Sequence, residues 1–164
     1  MTTKIGIYPG AFDPITFGHL DIIKRSLKII DKLVVGVADN INKKSLLSID
    51  DRKKLILSDI KNYLETEKDI SIDSVKGLLT VYAKKNNVTC IIRGLRAVSD
   101  FEYEFQMTGM NYQLNPRLET IFLMSSEKYS FISSNFIKEV HKLGGNVSKF
   151  VSKNTIDILD KKNI

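Results

Sequence analysis
The sequence predicts an α/β fold: a single domain with a five-stranded parallel sheet, helices on both faces and a short C-terminal helix. Three observations predict it. Short runs with strand character recur at residues 4–8, 32–38, 69–73, 88–92 and 118–124, most of them apolar and β-branched as in buried parallel strands. Amphipathic stretches that open on capping residues lie between those runs. Finally, no internal repeat, low-complexity segment or linker divides the 164 residues, a length suited to one domain with a substantial core.

Ile5, Ile7 and Tyr8 make the first strand, and Pro9-Gly10 and Asp13-Pro14 break it with turn chemistry. Thr16 stands at a helix N-cap before the inward series Leu20, Ile23, Leu27 and Ile30. The second strand, 32–38, ends in a polar loop carrying Lys43 and Lys44. Ser48 with Asp51 reads as a capping box for a helix to about Tyr63, with Leu55, Ile56 and Ile60 inward. An alternating strand over 69–73 and a helix over 78–85 follow, and the fourth strand runs straight into Arg93-Gly94-Leu95-Arg96. Ser99 with Glu102 predicts a second capping box, opening a helix that stops before Pro116. After the fifth strand, Ser133-Ser134-Asn135 caps a helix to about Leu143, which Gly144-Gly145 ends; a basic tail with a short helix closes the chain.

Composition excludes several function classes. No apolar run approaches a membrane span, and no charged-then-apolar leader opens the chain. Cys90 is the single cysteine, which rules out an internal disulfide and reads as a buried thiol. A cytoplasmic protein is expected, with no membrane partner. The net charge of +6 comes from lysines spread in pairs rather than in a block, so nucleic acid is not the expected partner. There is no Gly-x-x-x-x-Gly-Lys-Ser/Thr loop, no Gly-x-Gly-x-x-Gly fingerprint, no Cys/His cluster with metal-ligand spacing and no evident covalent nucleophile.

What remains is a set of phosphate-directed groups at one edge of the inferred sheet. Thr16-x-Gly18-His19 places a capping hydroxyl, a bare backbone and an imidazole within one helical turn. That helix N-terminus follows the first strand, where anions and nucleotides are held. His19 is the candidate donor to a phosphate oxygen as charge builds up. Lys43 is a flexible point charge, although a loop lysine pair taken alone is more often plain solvated surface. Arg93 and Arg96 offer two guanidinium forks beside a glycine, with surface ion pairs to Asp100 or Glu102 as the alternative. Glu104 is a candidate for a ribose hydroxyl or an adenine amine, or simply a helix residue. Tyr129, Ser130, Phe131, Ile132, Ser133, Ser134 and Asn135 read either as a nucleotide cradle or as an ordinary N-cap. Such an inventory suits phosphoryl or nucleotidyl transfer by positioning and charge stabilisation.

Three blocks carry a resemblance: Tyr8-Pro-Gly-x-Phe-Asp-Pro-x-Thr-x-Gly-His19, Ile92-Arg-Gly-Leu-Arg-Ala-Val-x-Asp-Phe-Glu-Tyr-Glu104 and Phe131-Ile-Ser-Ser134. In collinear order over nearly the whole chain, they resemble bacterial phosphopantetheine adenylyltransferase, a member of the nucleotidyltransferase superfamily. The central block is the specific one; Thr-x-Gly-His alone indicates only the superfamily. The resemblance implies a Rossmann-like domain that reversibly transfers an adenylyl group from ATP to 4′-phosphopantetheine. The products are dephospho-coenzyme A and pyrophosphate, in coenzyme A biosynthesis. It implies Mg²⁺ bound mainly through the ATP phosphates, dephospho-coenzyme A and coenzyme A as further ligands, and a homo-hexamer.

By matching position, His19 would stabilise the transition state, and Lys43 and Arg93, with the backbone of Ala11, would hold the pantetheine phosphate. Leu79 would line the pantetheine arm. Ala11 (through its backbone), Phe12, Thr16, Gly18, His19, Gly94, Leu95, Arg96, Glu104 and the 129–135 segment would surround ATP. Three positions depart from the family pattern. Ala11 replaces a usual Thr, and a lost hydroxyl bond to a charged group is worth roughly 1.5–3 kcal/mol. Phe17 replaces an Asn and puts an apolar surface at the rim, and Asn135 replaces a third Ser while keeping N-cap chemistry. Two alternatives stay open: a nucleotidyltransferase acting on another phosphate monoester, and a non-catalytic nucleotide or nucleic-acid binder on the same fold.

Overall fold
A computed structural model of the protein describes residues 3–39 and 45–162. The elements run β1 (Ile5–Gly10), α1 (Phe17–Ser26), β2 (Lys32–Ala38), α2 (Ile49–Tyr63), β3 (Asp69–Val75), α3 (Leu79–Lys85), β4 (Cys90–Leu95), α4 (Val98–Leu114), β5 (Glu119–Met124), a 3₁₀ turn (Glu127–Tyr129), α5 (Ser134–Lys142) and α6 (Lys153–Lys161). The five strands form one parallel sheet in the order β3-β2-β1-β4-β5. The chain winds outward from β1 to β3, crosses back, and continues through β4 to β5. The direction of winding therefore reverses between β1 and β4, the crevice where open α/β sheets hold ligands.

Side-chain alternation along the strands sorts the core into two layers. Tyr8, Val35 and Ile92 face α1 and α2, where they meet Leu20, Ile23, Leu55 and Ile56. Ile7, Val34 and Ile91 face the opposite side, where Leu79, Tyr82 and Ala83 of α3 cover them. A third cluster, Ile132, Ile137, Val147, Val151 and Leu159, ties α5 and α6 together and anchors the segment before α5. Cys90 is a buried thiol, as expected.

Several boundaries differ from the sequence expectation, for physical reasons. β1 continues through Pro9 and Gly10, because the ladder to β2 persists with Pro9 opposite Gly36 and Gly10 opposite Val37. A proline is tolerated there because β1 pairs with β4 only at Gly6 and Ile7. Beyond Ile7 the β4 side of β1 is open, and the Arg93 Nη1 instead donates to the Pro9 carbonyl at 2.6 Å. The missing N–H of Pro9 lies on that same side, so no ladder bond is lost. β4 likewise extends to Leu95, pairing with β5 as far as Met124, so Arg93 and Gly94 are strand residues. α1 ends at Ser26, leaving Leu27 and Ile30 buried in the turn after it.

Of the expected caps, Ser48 accepts from the Asp51 N–H at 3.1 Å. The Ser99–Glu102 box does not form. α4 starts two residues earlier, with Ala97 at the N-cap instead of Ser99, and Asp100 accepts from the Arg96 N–H at 3.1 Å in its place. Asp100 is the better partner because the same carboxylate also takes the Arg96 guanidinium, a charge-assisted bond that a serine cannot offer.

Candidate active site
Four strand ends and two helix N-termini converge beside the β1–β4 crevice. Thr16 caps α1 reciprocally. Its Oγ1 accepts from the His19 N–H at 3.4 Å, and the His19 Nδ1 accepts from the Thr16 N–H at 3.0 Å. This second bond fixes the tautomer. A backbone N–H can only donate, so Nδ1 must present its lone pair and the ring proton must reside on Nε2. Burial, reinforced by the charges of Arg96 and Arg93, holds the His19 pKa down to about 4. The ring is thus a neutral imidazole at physiological pH, with one N–H to offer. It stacks edgewise on Phe12, with centroids 5.1 Å apart, and Phe12 in turn stacks on Tyr8 at 5.4 Å.

The turn between β1 and α1 is bent sharply. Phe12 adopts a left-handed backbone with φ 49°, uncommon for a bulky residue and maintained only where surrounding contacts enforce it. Gly10 allows this bend, since a Cβ there would lie 3.0 Å from the Phe12 ring. The buried Asp13 carboxylate anchors the next residue, accepting from the Leu46 and Leu47 N–H groups at 2.8 and 2.9 Å and from Lys138 Nζ at 3.2 Å. Among the described residues, no protein group accepts from the backbone N–H of Ala11 or Phe12.

Arg93 is gripped from two sides. Its Nε donates to Glu104 Oε2 at 2.8 Å, its Nη2 to Glu104 Oε1, and its Nη1 to Pro9 O. One N–H on each terminal nitrogen remains for a ligand. Glu104, read from sequence as a nucleotide contact, is the one buried residue of α4 and holds Arg93 through both carboxylate oxygens. Arg96 makes a two-point pair with Asp100, at 3.0 and 3.1 Å, and donates to the Ile132 carbonyl at 3.3 Å. The guanidinium thereby ties the β4 end to the 129–135 segment.

In that segment Ser133 caps α5 by accepting from the Phe136 N–H at 3.1 Å, and Ser134 Oγ donates to the Pro14 carbonyl at 2.7 Å. Tyr129 lies against Gly18: a Cβ on that glycine would sit 3.5 Å from the tyrosine Cβ. Ser130 Oγ donates to Glu127 O. Phe131 is exposed and stacks on Phe150, while the Ile132 side chain is buried. Asn135 is the second residue of α5 and exposed. Gly94 packs its Cα against Ile22, while the Leu95 side chain is buried and its carbonyl accepts from the Ser125 N–H at 2.7 Å. Leu79 and Arg93 meet in one cleft with Pro9, Tyr103, Glu104 and Met107. Lys43 lies outside the described residues.

Sequence reasoning missed Asp13, Lys138 and Arg52, which fasten the site from beneath. Only Arg52 left a signal: it falls on the apolar stripe of α2, one turn before Leu55 and Ile56, where a solvent-facing charge does not belong.

Comparison with known proteins agrees with this geometry. Residues 7–140 match the cytidylyltransferase-like family model. The fold is shared with the nicotinic acid mononucleotide adenylyltransferase of Plasmodium falciparum in complex with NaAD, at a TM-score of 0.74 and 20% identity over 99% of this chain and 97% of that one. The chain is 56% identical over 153 residues to a phosphopantetheine adenylyltransferase of Wolbachia pipientis from Culex pipiens, covering 93% of this chain and 89% of the relative. A second relative of that name, from Rhodospirillum centenum, is 49% identical over 149 residues, or 91% of this chain and 81% of the relative. The chain thus belongs to the phosphopantetheine adenylyltransferases, within the cytidylyltransferase-like nucleotidyltransferases.

Proposed function
We propose that this protein catalyses adenylyl transfer from ATP to the phosphate of 4′-phosphopantetheine, giving dephospho-coenzyme A and pyrophosphate in coenzyme A biosynthesis. Family membership supports the reaction. The observation that carries the mechanism is the enforced Nε2–H tautomer of His19 beside Arg93 and Arg96.

An oxygen of the acceptor phosphate attacks the α-phosphorus of ATP, a new P–O bond forms, and the bond to the bridging oxygen breaks to release pyrophosphate. The attacking phosphate is already anionic near neutral pH, so no base is needed. What must be stabilised is charge spreading over the α-phosphoryl oxygens. A neutral His19 with its proton held on Nε2 is suited to that, because it donates without first needing to be protonated. Arg93, fixed by Glu104 and Pro9, presents its two remaining N–H groups to the acceptor phosphate, and Lys43 is assigned the same role. Leu79 and the cleft around it take the pantetheine arm. Phe12, Thr16, Gly18, Gly94, Leu95, Arg96 and the 129–135 segment surround ATP.

Mg²⁺ fits as a companion of the nucleotide. Asp13 and Glu104 are both committed to internal donors, and no cluster of three potential ligands occurs among the described residues. Bound through the ATP phosphates, the ion would neutralise charge on the leaving pyrophosphate. A homo-hexamer is proposed on the apolar surface of α4, and a cytoplasmic location on the reaction. No helix among the described residues is long and apolar enough to cross a membrane.

Pyrophosphate release from ATP and Mg²⁺ tests the reading, with 4′-phosphopantetheine and other phosphate monoesters as acceptors. Release with 4′-phosphopantetheine alone is expected. Release only with another monoester would move the acceptor assignment, and silence with every acceptor would favour a nucleotide binder.

A further inference from the structure
Arg52 of α2 is 3% exposed, yet all of its hydrogen bonds among the described residues go to backbone carbonyls. Nη1 donates to Ala11 O at 2.8 Å and to Ala38 O at 3.2 Å, and Nε donates to Ser48 O at 3.4 Å. No carboxylate among the described residues forms an ion pair with it. A buried cation without a counter-ion is costly, and carbonyl dipoles offset only part of the lost hydration. Such a charge persists where something else gains from it. Arg52 sits at the carboxyl ends of β1 and β2, directly behind the turn that carries the free Ala11 and Phe12 amides.

Its bond to Ala11 O also has a directional consequence. The Ala11–Phe12 peptide is planar and trans, so its C=O and N–H point in opposite directions. Drawing the carbonyl back towards α2 turns the Phe12 N–H the other way, out of the protein interior. The same restraint holds Phe12 at φ 49°, a conformation that an unrestrained turn would abandon.

We infer that Arg52 is a positioning residue for phosphate capture: it orients the Ala11–Phe12 amide towards the substrate phosphates and backs that amide with a positive charge that no carboxylate among the described residues neutralises. The proposal rests on the adenylyl-transfer reading for its substrates. It also bears on this chain in particular. With Ala11 in place of a hydroxyl residue, the turn has only backbone donors, so its orientation matters more.

The test compares wild type, Arg52→Met and Arg52→Lys in the full chain. It reads the ATP dissociation constant by calorimetry, KM for 4′-phosphopantetheine, kcat and melting temperature. Loss of a charge-assisted contact predicts about 10-fold weaker ATP binding or about 10-fold higher acceptor KM for Arg52→Met, with kcat changed by less than about 3-fold. Arg52→Lys should fall in between, since it restores the charge but cannot span three carbonyls. A purely structural Arg52 would lower the melting temperature and leave both substrate affinities at wild-type values, and that result would overturn the inference. Should Arg52→Met fail to fold, Arg52→Lys decides by the same criterion. If wild type releases no pyrophosphate, the functional reading fails, while ATP calorimetry on the variants still judges Arg52.

Discussion

The turn after β1 and helix α4 are opposites in how their needs are met. Around the turn, only the Ala11 and Phe12 amides and the Arg52 charge are left for a ligand among the described residues, and the other awkward groups have internal partners. The left-handed Phe12 is packed between Tyr8 and His19, the buried Asp13 has three donors, and the Ala11 carbonyl has Arg52. α4 leaves most of its apolar side chains uncovered among the described residues. It exposes Phe101, Tyr103, Phe105, Met110, Tyr112 and Leu114, and only Glu104 is buried. A helix apolar on most of its circumference belongs in an interior. The first region is complete in one chain, because chemistry on a phosphate needs donors fixed before the substrate arrives. The second leaves an apolar face open, which the proposed assembly would cover. The one side chain α4 does bury holds Arg93, so the proposed assembly surface and the site share a helix.

The most severe way to break the complete region is His19→Ala. It removes the Nε2 donor and half of the reciprocal cap together. Loss of one such transition-state donor typically lowers kcat by about 10²–10³-fold. ATP binding, measured by calorimetry, should change little, since Arg93, Arg96 and the α5 N-terminus remain. Near-normal turnover would refute the role assigned to the imidazole. The wild-type ring also has a pH signature. Its folded pKa of about 4 lies below the ordinary 6.5, so the stability from neutral His19 is fully present above 6.5 and is lost as pH falls towards 4. An NMR titration should accordingly find one histidine with no protonation step between pH 8 and 5. A midpoint near 6.5 for His19 would mean that Nδ1 is not locked as an acceptor.

The contrast also separates what the sequence disclosed from what it withheld. Apolar β-branched runs, one alternating stretch and the helical patterns identified every strand and α-helix, because those signals are local. Thr16 and His19 were legible for the same reason: a cap spans four residues. The partnerships that complete the site were not legible. Arg93 to Glu104 spans eleven residues, Arg52 to Ala11 forty-one and Lys138 to Asp13 one hundred and twenty-five, and only the fold brings them together. The expected Ser99–Glu102 cap failed because a neighbouring arginine offered Asp100 a stronger partner, a competition that spacing does not encode.

A milder perturbation addresses the incomplete region. Phe105 is 64% exposed on α4 and stands apart from the residues that line the cleft of Leu79 and Arg93. Phe105→Glu keeps a good helix former while placing a charge in the apolar face. Light scattering on the wild type should report a hexamer, and the variant should shift to smaller species at the same concentration. Its far-ultraviolet circular dichroism should stay unchanged. A monomeric wild type would sink the assembly reading and leave the α4 surface to a different partner.

The smallest expected effect belongs to Asp59 of α2, which joins the two kinds of region in one helix. Two turns from Arg52, its carboxylate is 1% exposed, and neither oxygen has a hydrogen-bond partner among the described residues. The nearby Ser152 hydroxyl bonds to Thr155 instead. Burial pushes the acid up to about 6, only partly opposed by Ser152. A raised carboxyl pKa means that ionisation opposes folding. The penalty is absent below the ordinary value near 3.8, grows as pH rises towards about 6, and is complete above that. Asp59→Asn removes it, so the variant should be more stable than wild type at pH 7–8 by about 2 kcal/mol, or about 4–8 °C in melting temperature. The gain should shrink to nothing near pH 4, where wild-type Asp59 is itself neutral. A stabilisation of equal size at pH 4 and pH 8 would show that packing, not the buried charge, separates the two side chains. Unlike Arg52, this charge faces no part of the site, so its removal should leave both substrate affinities unchanged.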